Sequence, residues 1–430
     1  MKTWKRFATF ALLGMLLSWA IAACTPGSDS PSDSASDRPQ VEFWTMQLQP
    51  QFTDYFDRAI ATFEAENPDL QVRWVDVPWS AMESKILAAV SAKTAPDVVN
   101  LNPNFATLLA GRNAWLDLDS KLSPEDRQQY LPNIWKASTL GDRSFGIPWY
   151  VTTRITIYNS DLFQQAEITQ PPTTYAELAD VARQIREKTG KYAFFVTFVP
   201  GDSGEVLESM VQMGVTLVDD DGNAAFDTPE GKAAFQYWVD LFKAGLLPRE
   251  VLTQGHRQAV QLYQAGEIAL LGSGPQFFQT IEQNAPEIAR VSAAAPQITG
   301  KTGKKAAAVM NLVIPQDSDR PDDALKFALF VTNPENQLAF AKAANVLPST
   351  TASLADPYFQ DLSENASALD RARIISAAEL ADAESLIPAI EGVQQLQKII
   401  YDNLQAAMLD EKTIDRAIAD AAEQWNSRGF

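Results

Sequence analysis

Apolar positions along the chain switch between two periods. Residues 41–45 read as a strand. Phe52, Tyr55, Phe56, Ala59, Ile60 and Phe63 then fall at i, i+3, i+4, i+7, i+8 and i+11, the spacing of one buried helix face. Asn67-Pro68 stops that helix, because the residue before a proline is pushed out of the helical region. Residues 70–75 predict a second strand. Residues from about 80 to 93 predict a second helix, with Met82, Ile86 and Val90 on one face, and 98–101 a third strand. Strand, helix, strand, helix, strand is the pattern of a parallel sheet covered by helices, an α/β fold. Ligands of such sheets bind beyond the carboxyl ends of the strands. Those ends are Trp44-Thr45, Asp76-Val77-Pro78-Trp79 and Asn102-Pro103-Asn104.

A second set of elements begins further along. Residues 146–150 lead into an alternating run, Ile155-Thr156-Ile157-Tyr158-Asn159. Thr174 and Glu177 fit a reciprocal capping box, Tyr175, Leu178, Val181, Ala182 and Ile185 form a buried stripe, and Gly190 supplies the stop. Thr228 as N-cap and Pro229 after it open another helix, with Phe235, Trp238, Val239 and Phe242 on its apolar face and Gly245 at its end. Trp238 on such a stripe reads as core. Residues 267–271 are strand-like, 306–315 contain another strand, Pro321 opens a helix, and the chain is helical from about Glu379 onward.

The N-terminus changes the compartment. Lys2, Lys5 and Arg6 precede an apolar or small stretch, 7–23, which has the length of a secretory signal core and is short for a spanning helix of roughly 20 residues. It ends in Ile21-Ala22-Ala23-Cys24, which resembles the bacterial lipobox: a branched apolar residue, two small residues, then the cysteine that carries the lipid. Cys24 is the only cysteine, so the chain forms no internal disulfide. This predicts a lipoprotein signal peptide over 1–23, lipidation at Cys24, and a disordered tether over 24–40, rich in Ser, Asp and Pro. The globular part then works at the periplasmic or extracellular face.

Beyond that tether about 390 residues remain, more than one core usually serves, so two lobes are expected. The formal charge is −19, and residues 1–23 carry three positive charges and no acid, so the chain from Cys24 onward stands near −22. Such a charge argues against nucleic acid and anionic membrane surfaces as partners. His256 is the only histidine, so no His/Cys metal site can be built, and a Ser-His-Asp arrangement would have to use it. Its polar setting, Thr253-Gln254-Gly255-His256-Arg257, reads as an ordinary surface. No Walker A sequence is present, and Gly272-Ser273-Gly274 lacks the third glycine of a dinucleotide fingerprint. No catalytic residue, metal or cofactor is expected.

Several pieces in fixed order resemble bacterial extracellular solute-binding proteins, family 1, of the maltose-binding-protein-like, carbohydrate ABC transporter type. They are Phe43-Trp44-Thr45; Phe63-Glu64 with Asn67-Pro68-Asp69; Ala95-Pro96-Asp97-Val98-Val99; and Gly146-Ile147-Pro148-Trp149-Tyr150. Tyr158-Asn159-Ser160-Asp161-Leu162-Phe163 follows, then Pro171-Pro172-Thr173-Thr174-Tyr175-Ala176-Glu177-Leu178, then Ala265-Gly266-Glu267-Ile268-Ala269-Leu270. The last is 324–336, with Phe327, Phe330 and Pro334-Glu335-Asn336.

The resemblance implies a two-lobed periplasmic-binding-protein fold with an inter-lobe cleft and multiple hinge crossings. It places an N-terminal lobe at 41–150 plus 311–346 and a C-terminal lobe at 151–310 plus 347–430. The crossings fall just after Tyr150, before Asn311 and near Leu347-Pro348. Many relatives have Gly-Pro-Trp where this chain has Gly274-Pro275-Gln276, which implies a different ligand shape. The resemblance also implies a monomeric sugar or oligosaccharide receptor. Such a receptor delivers its solute to ABC permease subunits and meets the membrane only through its lipid.

A sugar has C–H faces that suit aromatic rings and rim hydroxyls that suit amides and carboxylates. Trp44, Trp79, Trp149 and Tyr150 lie at expected strand ends or crossings; Asn102, Asn104, Gln276 and Asn311 are the amide candidates, and Glu205 the carboxylate candidate at the opposite lip. The same scaffold also suits a non-sugar solute such as a polyol derivative, a polyamine or a phosphate ester. A lipid-anchored enzyme acting on glycans would need two carboxylates roughly 5–10 Å apart, which an acidic chain can supply.

Overall fold

The computed structural model describes residues 38–428. The expected signal peptide, the lipidation site Cys24 and the tether up to residue 37 lie outside the described residues. The last residues of that expected tether are ordered, since β1 (Gln40–Met46) begins at Gln40.

The first sheet forms as the apolar spacing requires. After β1 come α1 (Thr53–Glu66), β2 (Gln71–Val77), α2 (Trp79–Ala92) and β3 (Val98–Leu101). Both β2 and β3 pair parallel to β1. α3 (Pro103–Ala110) follows at once, N-capped by the Asn102 side chain, with Pro103 in its first turn. Two later strands complete the sheet, β4 (Ile147–Thr153) and a long strand at Lys305–Val313, which runs antiparallel to both β3 and β4.

The second sheet is antiparallel. β5 (Ile155–Asn159) lies between β6 (Leu270–Ser273) and β7 (Ser292–Ala295), and the long strand at Lys305–Val313 is then β8. Helices α4 (Tyr175–Thr189), α5 (Glu205–Gln212), α6 (Pro229–Lys243) and α7 (Phe277–Asn284) belong to this half. The predicted capping box of Thr174 and Glu177 is present, Gly190 ends α4 with a positive φ of 71°, and Thr228 caps α6. α8 (Pro321–Val331) and α9 (Pro334–Ala344) return to the first sheet, where β9 (Leu347–Pro348) pairs with β4. α10 (Ala368–Leu380), β10 (Ala383–Glu384), α11 (Val393–Met408) and α12 (Ile414–Asn426) end the chain. The expected continuous helicity after Glu379 is interrupted, because residues 381–392 form β10 and a loop before α11.

Buried apolar side chains fall into two separate cores. One gathers Phe43, Phe56, Phe63, Trp149, Phe327 and Phe340. The other gathers Ile157, Phe198, Trp238, Tyr263, Ile281 and Tyr401. The chain passes from the first to the second at Arg154, the single residue between β4 and β5, three residues later than the expectation of a crossing after Tyr150. It returns through 296–304 into β8. Leu347-Pro348 is no crossing, since β9 is hydrogen-bonded into the first sheet. The 347–430 segment, assigned from sequence to the second lobe, contributes to both cores: Phe359, Ala377, Leu380 and Ala383 to the first, Ala372 and α11 and α12 to the second. α10 therefore bridges the lobes. Its alanines and short polar residues allow this, because neither face is committed to one apolar stripe.

Among the described residues no helix is long and apolar enough to cross a membrane.

Candidate functional site

The carboxyl ends of β1, β2 and β3 open onto a cleft of about 670 Å³ between the two cores. The volume lies in the usual range of ligand sites, about 300–1,000 Å³. Its rim is built locally. Asp76, at the end of β2, accepts the Leu48 N–H (2.8 Å), the Gln49 N–H (3.1 Å) and the Thr45 hydroxyl (2.6 Å), which holds the turn after β1 and sets Leu48 against the cleft. Pro78 then starts α2, and Trp79 in its first position stays 44% exposed at the mouth.

One wall, from the first lobe, is mainly apolar and aromatic, with Leu48, Phe52, Trp79, Tyr150 and Phe340, and also carries Gln51 and Asn102. Phe340 of α9 is its keystone, with ring centroids 5.4 Å from Phe52 and 5.3 Å from Tyr150. Burial, with the Asp76 carboxylate nearby, holds the Tyr150 phenol well above its usual range, so the hydroxyl stays a neutral donor and acceptor. The facing wall, from the second lobe, is one side of α7: Gln276, Gln279, Thr280 and Gln283. Thr152 of β4 and Ala308 and Met310 of β8 also line the cleft. Among the described residues no charged side chain lines it.

The charge sits beside the cleft. An alcove of about 230 Å³ shares Thr152, Gln276 and Ala308 with the cleft and holds Arg154, Asp202, Glu208 and His256. Arg154 donates to Glu208 (3.2 Å) and to the Gly272 carbonyl (3.2 Å), and its guanidinium lies 3.6 Å from Glu205. Burial raises the Glu205 carboxyl above the ordinary range; Arg154 offsets part of this and Glu208 adds to it. Burial and then the Arg154 charge push His256 down to about 4, partly offset by Asp202, so the imidazole is neutral at pH 7. The expectation of an ordinary surface histidine is thus corrected. Asp202 accepts the His256 backbone N–H at 2.7 Å, and the half-buried ring lines the alcove beside Asp202 and Glu208.

Of the residues expected from sequence, Trp79, Asn102, Tyr150 and Gln276 come together around the cleft. Asn102 spends its carbonyl oxygen on the Phe105 N–H (2.8 Å), capping α3. Glu205 lines a narrow chamber behind Arg154 with Tyr175, Gln212 and Trp238 rather than the cleft itself. Asn104 faces a separate small depression against Gly204, Leu207 and Gln397, where α3 meets the second lobe.

Three expectations are corrected. Trp149 is fully buried in the first core, because it alternates with Tyr150 along β4 and takes the opposite face. Trp44 is 6% exposed, its indole N–H donates to Glu42 (2.6 Å) and the Lys85 ammonium lies 3.9 Å from its ring centroid, so its faces are already covered. Asn311 is fully buried, accepts the Ser138 hydroxyl and donates to the Val309 carbonyl at 3.1 Å, which satisfies the irregular pairing of β8 with β4. Sequence reading missed Phe52, Phe340, Gln279, Thr280 and Gln283. Only the last three carried a signal: with Gln276 they fall at i, i+3, i+4 and i+7, beside the apolar Phe278 and Ile281.

Among the described residues no group of three or more His, Cys, Asp or Glu side chains is placed to hold a metal ion.

Comparison with known proteins agrees with this architecture. The family model described as "Bacterial extracellular solute-binding protein" matches residues 49–338. A crystal structure from Synechococcus sp. MITs9220, of a protein assigned as a periplasmic oligosaccharide-binding protein and bound to zinc, superimposes with a TM-score of 0.85 at 46% identity, covering 90% of this chain and 98% of that one. Maltose-bound MalE3 of T. maritima has the same fold, with a TM-score of 0.74 at 22% identity over 90% of this chain and 99% of its own. The diacetylchitobiose binding protein DasA of Streptomyces coelicolor is 24% identical over 434 residues, 96% of each chain.

Proposed function

Because this chain belongs to the bacterial extracellular solute-binding proteins, we propose that it captures a sugar or oligosaccharide and delivers it to an ABC importer. The observation that carries the sugar reading is the composition of the cleft. One wall is mainly aromatic and apolar, with the amides of Gln51 and Asn102 among its rings, the other carries amides and a hydroxyl, and no described side chain lining the cleft is charged. Aromatic rings suit the C–H faces of a pyranose, and a carboxamide, which both donates and accepts, suits a hydroxyl. A polyamine or a phosphate ester would be desolvated there without a counterion, at a cost. The family consists of binding proteins rather than enzymes, and the carboxylates of Glu205 and Glu208 are occupied by Arg154.

The cycle follows from the hinge. A solute that touches both walls favours the arrangement in which the lobes bracket it, by as much as its contacts differ between the two arrangements. The bracketed form is then what the permease subunits receive. A lipid on Cys24 and a polar tether would keep a single receptor chain at the outer face of the membrane, within reach of that permease. The relatives' names support the solute class: one is a galactooligosaccharide-binding protein of Bacillus subtilis.

The test is calorimetry and tryptophan fluorescence of the purified protein against a panel of neutral mono- and oligosaccharides, polyols, polyamines and sugar phosphates. Saturable binding of a neutral saccharide without turnover is expected. Turnover of the saccharide, or binding confined to the charged solutes, refutes the proposal.

A further inference from the structure

A receptor with two unlike walls need not use both to choose its solute. Helix α7 presents Gln276, its N-cap residue, with Gln279, Thr280 and Gln283 on one face, and all four line the cleft. Its opposite face, Phe278 and Ile281, is sunk in the second core, so the helix cannot rotate this row away. Among the described residues, none of the four side chains has a hydrogen-bond partner within the protein; Thr280 accepts the Gln264 amide through its backbone carbonyl only. Gln276 goes further: its Oε1 is buried and without a donor. That carboxamide lies folded over Gly274, where any Cβ would stand 2.2 Å from Oε1. The row spans about 10 Å at 1.5 Å per residue.

The first-lobe wall has less of this capacity, spread over Gln51, Asn102 and the Tyr150 hydroxyl rather than set in one row. Its rings can hold C–H faces but cannot tell one hydroxyl arrangement from another, and the Asn102 carbonyl oxygen is already used to cap α3. Given the receptor function proposed above, on which this rests, we infer that the α7 face selects and retains the solute, and that the solute is an uncharged chain of polyhydroxylated units at least as long as the row. Its C–H faces lie on Trp79, Phe52 and Tyr150, and its hydroxyl edge lies on Gln276, Gln279, Thr280 and Gln283. Because α7 belongs to the second lobe, these contacts complete the bracketed arrangement. Losing them speeds release and blocks closure, and leaves first capture on the aromatic wall intact.

The test uses the full chain, with maltotriose, cellotriose and triacetylchitotriose as probes beside their monosaccharides. Stopped-flow tryptophan fluorescence gives association and dissociation rates, and small-angle scattering gives compaction. The expected result is a trisaccharide bound about tenfold or more tighter than its monosaccharide. Gln279→Ala with Gln283→Ala then weakens binding about tenfold or more through dissociation, with association within about twofold, and abolishes the ligand-induced fall in radius of gyration. Thr280→Val, which keeps the shape, shifts dissociation in the same direction by less. Melting curves verify that the variants stay folded. Wild-type affinity and compaction in the double variant overturn the role of α7. Equal affinity for monosaccharide and trisaccharide overturns the length of the solute. If the wild-type chain binds none of the neutral probes, the receptor reading itself falls, a different outcome from failure of the α7 variants alone.

Discussion

Trp149 stacks on Phe340, with ring centroids 4.8 Å apart and planes at 26°, and so props the cleft wall from behind. Phe340, 1% exposed, borders the cleft and backs the rings of Phe52 and Tyr150; Trp149 faces core only. Their substitutions should therefore separate. Phe340→Ala should cost about 3–5 kcal/mol in urea unfolding, the usual loss for a buried Phe, and should also weaken solute binding. Trp149→Phe removes an indole N–H that has no partner, which offsets the smaller ring. Its stability should stay within about 1 kcal/mol of wild type, with affinity unchanged.

Trp79 offers the opposite case. Its ring is 44% exposed and belongs to neither core. Trp79→Ala should leave the melting temperature nearly unchanged, because surface substitutions usually stay within about 0.5 kcal/mol. Calorimetry should show solute affinity reduced about tenfold, the scale of one lost aromatic contact.

Among the described residues Arg154 is the only cation paired with Glu205 and Glu208. Arg154→Met should destabilise the protein by roughly 2–4 kcal/mol at pH 7, less than for a fully buried pair because the side chain keeps some exposure. Adding Glu208→Gln to that variant should restore part of the loss in urea unfolding. No restoration would mean that Arg154 acts through packing alone.

His256 sets a pH window. Its folded value is pushed down to about 4, against about 6.5 in an unfolded chain. Between those values the unfolded state binds a proton that the folded state refuses. Stability from this group is therefore full above about pH 6.5 and is lost as pH falls toward 4, by up to about 3 kcal/mol. The raised Glu205 carboxyl works in the opposite sense, favouring the fold at low pH. Comparing His256→Gln with wild type isolates the histidine: the variant should show a flatter fall in unfolding free energy between pH 7 and pH 4.5.

Cys24 carries the proposed lipid. Cys24→Ala should move the protein from the membrane fraction to the soluble fraction while leaving the calorimetric affinity for solute unchanged. Retention in the membrane would sink the lipid anchor.

The sequence by itself determined the local structure, because local structure depends on spacing and caps. The 3.6-residue stripe from Phe52 to Phe63, the box of Thr174 and Glu177, and the Thr228 cap all appear where the chain predicts them. The parallel β1–β3 unit follows from the same patterns, and with it the end of the sheet where the cleft opens.

Only the tertiary structure decided which aromatic rings reach that cleft. Trp149 and Tyr150 are neighbours in sequence, yet strand alternation sends one to the core and the other to the cleft. Trp44 lies near the end of β1 as Trp79 begins a helix, but Lys85 and Glu42 close over Trp44, while Trp79 stays exposed. Phe340 reaches the wall from nearly 300 residues away in the chain, through the packing of α9 on β4. The unpaired row on α7 has a helical period that the sequence displays. Its meaning depends on a cavity, and a cavity exists only where two lobes face each other.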